Sequence, residues 1–352
     1  MSPNFSDNTN MDTIDFKKLS EQLRSELLRV NGWRKVVRTG SIAVYLFVFC
    51  WFMFVLFGGA LVSYIGLENY MQFTQYIIPV FIGFIVVNFV FTRCMTNFQE
   101  RESEAMQHIM STLFPTVYFS ASSQVDSRIL RDSKLFSASF SDPALAANTY
   151  GYIQFPHGEH SLHVADIGVS YGLLNKLQYN PVLGYFVMIY RFVLRPLFAS
   201  RLDSSPHNFR GMFAWCKIDK RFKGNIIILP DHLEQKIGYL AKNIQGLKKR
   251  YSARLLQLED QEFENYFAVY ADDEVEARML LTPAMMRHMT ALRQTFGCDI
   301  MLSFSRGTFY YAAVMPSGFL CVRPSALNDG KLLEDIYNDI SLSCNCLLYT
   351  SP

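Results

Sequence analysis

Two apolar runs, Ser41–Tyr64 and Tyr70–Thr92, dominate the pattern of the chain, and a connector containing Gly66, Leu67, Glu68 and Asn69 joins them. Neither run holds an Asp, Glu, Lys or Arg. At about 1.5 Å of rise per residue, each would match the ~30 Å hydrocarbon core of a bilayer as a helix. Ile42–Leu56 is apolar on every face, whereas a helix on a soluble core keeps a polar stripe. The pattern predicts a transmembrane hairpin over 41–94, with helices at 41–64 and 70–92. Arg29, Arg34, Lys35 and Arg38 precede it, Arg93 and Arg101 follow it, and the connector carries only Glu68. The positive-inside rule then places both termini in the cytoplasm.

Outside the hairpin the period becomes helical. Met1–Asn10 is polar and reads as unstructured, without the form of a cleavable signal peptide. Within 1–40, Phe16, Leu19, Leu23, Leu27 and Val30 recur at spacings of three and four, opposite Lys17, Lys18, Glu21, Arg24 and Glu26. This is an amphipathic cytoplasmic helix. Phe98, Met106, Ile109, Met110 and Leu113 form a second stripe, predicting a stalk helix over 97–115 that Pro115 ends. The two stripes are natural partners, although the first could instead lie flat on a bilayer.

From Thr116 short alternating segments take over. Val117–Ser120, Leu135–Ser139, Tyr150–Gln154 and Ser161–Val169 read as strands, Val125–Arg131 as a helical excursion, and Pro156–Glu159 as a turn. Pro181–Ser200 is as apolar as a span but contains Arg191 and Arg195. A central Arg costs about 2.5–3.5 kcal/mol on insertion, so this arm is expected to lie in the cytoplasmic leaflet or in the domain core. Gly211–Lys217, Asn225–Leu229 and Arg254–Leu258 are further strands, and His232–Gly246 is a helix. Thr282 and Pro283 open a helix that Gly297 closes, Ile300–Phe304 and Thr308–Ala313 form a hairpin over Arg306-Gly307, and Leu332–Ile340 is a last helix. The fold expected over 116–345 is a cytoplasmic α+β domain with mixed or antiparallel sheets, set on the two-helix transmembrane hairpin. Residues 346–352, CLLYTSP, resemble the translation of a sequencing-library adapter and are read as an artefact.

Composition narrows the function. With 33 Lys and Arg against 31 Asp and Glu, the net charge of +2 offers no field for nucleic acid. The seven cysteines are scattered and form no C-x-x-C pair, as in a reducing compartment.

Two clusters could carry chemistry. His157-x-x-His160-x-x-His163, with Glu159 and Asp166 nearby, offers three imidazoles for Zn²⁺, but residues three apart on a strand face opposite ways. The acidic run holds Glu259, Asp260, Glu262, Glu264, Asp272, Asp273, Glu274 and Glu276, oxygens that Mg²⁺ or Ca²⁺ would accept, without EF-hand spacing. Read as extended, Val275–Arg278 puts Glu276 and Arg278 on one strand face as an ion pair. Cys216 and Cys298 have no evident base, and there is no G-x-S-x-G elbow, P-loop or dinucleotide fingerprint. No catalytic, cofactor-binding or metal residue is assigned, and no cofactor is expected.

Three blocks, Phe209–Asp231, Leu258–Met286 and Asp299–Phe304, resemble the bacterial family known as domain of unknown function 3137. The chain departs from its pattern at Gln261, at Met279 and in the apolar stretch Pro181–Ser200. The resemblance implies a membrane-anchored bacterial protein, often encoded beside LemA-like proteins, with no assigned activity. The expectation is a multi-pass protein of the bacterial inner membrane acting as a non-enzymatic interaction module. Its partners would be the lipid bilayer and a LemA-like protein, with homo-oligomerisation open. The alternative is a membrane-bound metal-dependent hydrolase using the histidine or acidic cluster.

Overall fold

The computed structural model describes residues 16–57, 63–64, 66, 75, 77–115, 117–136, 146–157, 160–170, 177, 180, 183–190, 209–218, 222, 224–230, 254–256, 258, 260–316, 318–320, 333–334, 336–338 and 340–341. In chain order the elements are α1 (Phe16–Leu56), α2 (Ile77–Leu113), β1 (Tyr118–Ser120), α3 (Ser127–Asp132), β2 (Ala146–His157), β3 (His160–Ser170), α4 (Leu183–Ile189), β4 (Phe209–Lys217) and β5 (Ile226–Pro230). They continue with β6 (Arg254–Leu256), α5 (Gln261–Glu264), β7 (Phe267–Ala271), α6 (Glu274–Leu280), α7 (Pro283–Phe296), β8 (Ile300–Ser305) and β9 (Thr308–Val314). The chain divides into two compact units: Leu23–Ala105 with Leu177–Pro206, and the remainder.

In the first unit α1 and α2 run antiparallel. Arg34 pairs with Glu102 and lies 5.9 Å from the Phe98 ring, Arg101 lies 5.7 Å from the Trp33 ring, and the Phe91 ring packs over Gly40. Leu23, Val30 and Val37 are buried at a spacing of seven, one seam of a coiled-coil-like contact. The expected transmembrane hairpin requires correction. The run Ser41–Tyr64 is not a separate span, because α1 passes without a break from its charged first half to Leu56. The run Tyr70–Thr92 is helical from Ile77 and continues through charged sequence to Leu113. Among the described residues, no helix is long and apolar enough to cross a membrane. Residues 58–62 and most of the connector lie outside the described residues, as do Arg191 and Arg195 of the apolar arm, of which α4 is the described part.

The second unit is built on one nine-stranded sheet in the order β1-β2-β3-β4-β9-β8-β5-β7-β6, with every neighbouring pair antiparallel. The strands therefore form a single antiparallel sheet. Although β4 and β5 are consecutive strands, they do not pair, because the β8–β9 hairpin lies between them. That hairpin turns through Arg306 and Gly307, both with positive φ (52° and 71°), the conformation whose twist suits a two-residue connection.

Strand alternation sorts the core onto two faces. Ala165, Ile167, Phe213, Trp215, Ile227, Tyr270, Met301 and Tyr310 share one cluster with Leu130 and Phe136. Leu135–Ser139, expected as a strand, instead begins as a bend after α3, and the Phe136 ring packs 4.8 Å from Phe209; residues 137–139 lie outside the described residues. Elsewhere in this unit, the end of α2 buries Met106, Ile109, Met110 and Leu113. The Phe114 ring then meets Phe155 edge-on at 6.1 Å and stacks on Tyr337 at 5.3 Å. The Thr282 hydroxyl caps α7, Pro283 occupies its first turn, and Gly297 closes it in the left-handed conformation. The helix expected over His232–Gly246 lies outside the described residues.

Candidate functional site

A bulge in β2 prepares the most heavily bonded group in the sheet. The β2–β3 register slips between Thr149 and Gly151, leaving Tyr150 as the extra residue. Its ring lies 3.7 Å from the guanidinium of Arg210 on β4. Arg210 in turn grips both carboxylate oxygens of Asp166 on β3, through Nη1 to Oδ1 and through Nη2 to Oδ2 at 3.0 Å. Oδ2 also accepts the backbone N–H groups of Phe319 and Leu320 at 3.1 and 3.0 Å. Asp166 is fully buried. Burial pushes its carboxyl above the ordinary range, opposed by Arg210 and the two N–H groups. Gly318 (φ 86°) lets the loop after β9 approach, since a Cβ there would fall 2.6 Å from Arg210 Nη2. The carboxylate is enclosed by four donors, so it braces β3, β4 and this loop.

A second arrangement sits on the other face of β2, β3 and β4. The Tyr152 hydroxyl and His163 Nδ1 hydrogen-bond at 2.6 Å, and the imidazole stacks on Trp215 with centroids 5.0 Å apart and planes 14° apart. Trp215 is opposite Tyr310 in the ladder. Burial, with Lys217 adding to it, holds His163 below its ordinary pKa. Sequence reasoning missed both sets of partners, because Tyr152, Trp215 and Arg210 lie on strands whose neighbours the sequence does not name.

His157 is paired with His160, while His163 is paired with Gln154 and Trp215. The side chains of His157 and His160, and all of Glu159, lie outside the described residues. Among the described residues, no group of three His, Cys, Asp or Glu side chains is placed to hold a metal ion.

Each described carboxylate of the acidic run has a hydrogen-bond or ion-pair partner within the protein. Asp260 caps α5 through the Phe263 N–H, and Asp273 caps α6 through the Val275 and Glu276 N–H groups. Glu264 accepts the Leu258 N–H, Asp272 the Asn225 N–H, and Glu276 the Gly224 N–H. Glu262 accepts from the Gln294 amide, and Glu274 pairs with Arg278 one helical turn away. Glu259 lies outside the described residues. The Glu276–Arg278 strand pair is corrected: Asp273 nucleates a helix there, and Arg278 meets Glu274 instead. A cleft of about 620 Å³ opens beside these elements, lined by Leu258, Asp260, Gln261, Arg278, Leu281, Pro283 and Met286. Of the two cysteines without an evident base, Cys216 is buried with Sγ 3.3 Å from the Lys217 carbonyl, and Cys298 is half-buried after α7.

The fold and these sites define an antiparallel α+β domain whose conspicuous ionic groups hold strands, caps and loops together. Residues 207–347 match the model of the family described as protein of unknown function (DUF3137). Neither the curated proteins nor the solved structures yield a match.

Proposed function

We propose that this chain is a binding module that associates with a lipid bilayer through the apolar faces of α1 and α2. The observation that carries the reading is exposure. Ile42, Leu46 and Phe47 on α1, and Ile82, Val86, Val87, Phe89 and Val90 on α2, are each 39% to 62% exposed. Exposed apolar side chains concentrated on two helices that touch at Gly40 and Phe91 suit a site of interaction rather than a face meant for water. The contact of Gly40 with Phe91 brings the two stretches to one level of the antiparallel pair. Next along the pair come cations set against rings: Arg93 5.4 Å from Phe89, Arg101 over Trp33 and Arg34 over Phe98. Such a band of aromatic rings and long cationic side chains suits the boundary between acyl chains and headgroups. The role of a binder, rather than a catalyst, draws support from the braced state of Asp166 and from the structural hydrogen bonds that engage the carboxylates of 260–276.

The test is flotation of the full chain with vesicles of phosphatidylethanolamine and phosphatidylglycerol. The wild-type chain is expected in the lipid fraction. A Val86→Asp/Val90→Asp variant, altered only at exposed positions and checked for an unchanged far-UV spectrum, is expected to stay at the bottom. A wild-type chain that does not float, or a variant that floats equally, overturns the proposal.

A further inference from the structure

The segment that forms α5, α6 and α7 combines an apolar cleft, an exposed apolar pair and an excess of carboxylates over arginines. The cleft has an apolar floor of Leu258, Leu281, Pro283 and Met286. Beside it, α6 is anchored by buried Ala277 and Leu280 yet leaves Val275 67% and Met279 73% exposed. These two are four residues apart on a helix and therefore adjacent on its surface. An exposed Met is an adaptable anchor for apolar side chains. Across described residues 260–296 the carboxylates Asp260, Glu262, Glu264, Asp272, Asp273, Glu274 and Glu276 outnumber Arg278, Arg287 and Arg293, and Asp260 and the Glu274-paired Arg278 line the cleft itself. Hydrogen bonds to caps and turns hold these carboxylates in place.

From this complementarity we infer that the α5–α6–α7 face docks an amphipathic helical segment of a partner protein, apolar on one side and rich in Lys and Arg at its margins. Apolar side chains at successive turns of such a helix enter the cleft and cover Val275 and Met279, and its cations meet the acidic rim. The inference specifies what the proposed binding module binds, and it concerns a different surface from the lipid-facing one.

The probe is a fluorescein-labelled 14-residue Leu/Lys peptide patterned as an amphipathic helix, titrated with the full chain and followed by anisotropy. Controls are a scrambled Leu/Lys peptide and a Leu/Glu peptide of the same pattern. The patterned basic peptide is expected to bind at least tenfold more tightly than either control. Raising the salt is expected to weaken it, and Val275→Asn/Met279→Asn to weaken it about tenfold. Equal affinity for the three peptides, or an unaffected variant, overturns the inference. So does self-association of the chain that the same double substitution abolishes, since the occupant is then a second copy. Flotation is read separately, so loss of lipid binding with peptide binding intact refutes only the membrane reading.

Discussion

Asp166 interrupts an otherwise apolar strand segment, Val164-Ala165-Asp166-Ile167, and its burial is tolerable only because four donors converge on it. Replacing it by Asn leaves the Arg210 guanidinium enclosed without a counter-charge. Asp166→Asn is expected to destabilise the sheet unit by about 3–5 kcal/mol, read as a lower urea midpoint. Asp166→Asn/Arg210→Met is expected to recover part of that loss, because the stranded charge is gone. An unchanged midpoint in the single variant contradicts the brace. The oddity of a carboxylate in an apolar run is legible in the sequence. Its partners are not, since Arg210 is 44 residues away and the two N–H donors belong to a loop more than 150 residues downstream.

Among elements, the β2–β3–β4 ladder couples His163 to acidity. Its folded-state pKa lies below the ordinary value of 6.5, so the unfolded chain takes up protons first as pH falls. The contribution is complete above about pH 6.5 and is lost as pH drops through the folded pKa. Thermal melts from pH 7.5 to 5 are expected to show a declining midpoint that flattens in His163→Phe, where stacking on Trp215 is kept but no proton is taken up. Equal slopes in the two proteins argue against it. Element type was readable where caps and period agreed, as in α7 between Thr282 and Gly297 and in the β8–β9 hairpin. It failed at α6, where alternation in Val275–Arg278 suggested a strand. The competing signal was present: Asp273 followed three residues later by Glu276 is a helix-starting pattern, and Asp273 does cap the helix.

Across the whole molecule, the sheet order decides which hydrogen bonds open last. β4, β9 and β8 are buried and paired on both sides, whereas the margins β1 and β6 are three residues each. Hydrogen exchange followed by mass spectrometry is expected to be slowest at Phe213, Leu302 and Tyr311 and fastest at Phe119 and Leu255; a uniform profile contradicts this ranking. Most strands were legible, although β7 was not read and Leu135–Ser139 was read as a strand that its described start does not form. Their order was not legible, because alternation specifies a face and never a neighbour. The apolar runs show the same limit at larger scale. Composition marked them as continuous spans, while the helices that carry them extend well into charged sequence.

The insertion of Ile300–Val314 between β4 and β5 also bears on synthesis. Both flanks of the sheet leave the ribosome before the two strands that join them, and each flank offers an inward edge of open N–H and C=O groups in the interval. Those edges, Phe209–Lys217 and Ile226–Pro230, are almost wholly buried in the finished sheet. A nascent polypeptide of this design is therefore most exposed to wrong pairing just before Ile300–Val314 emerges.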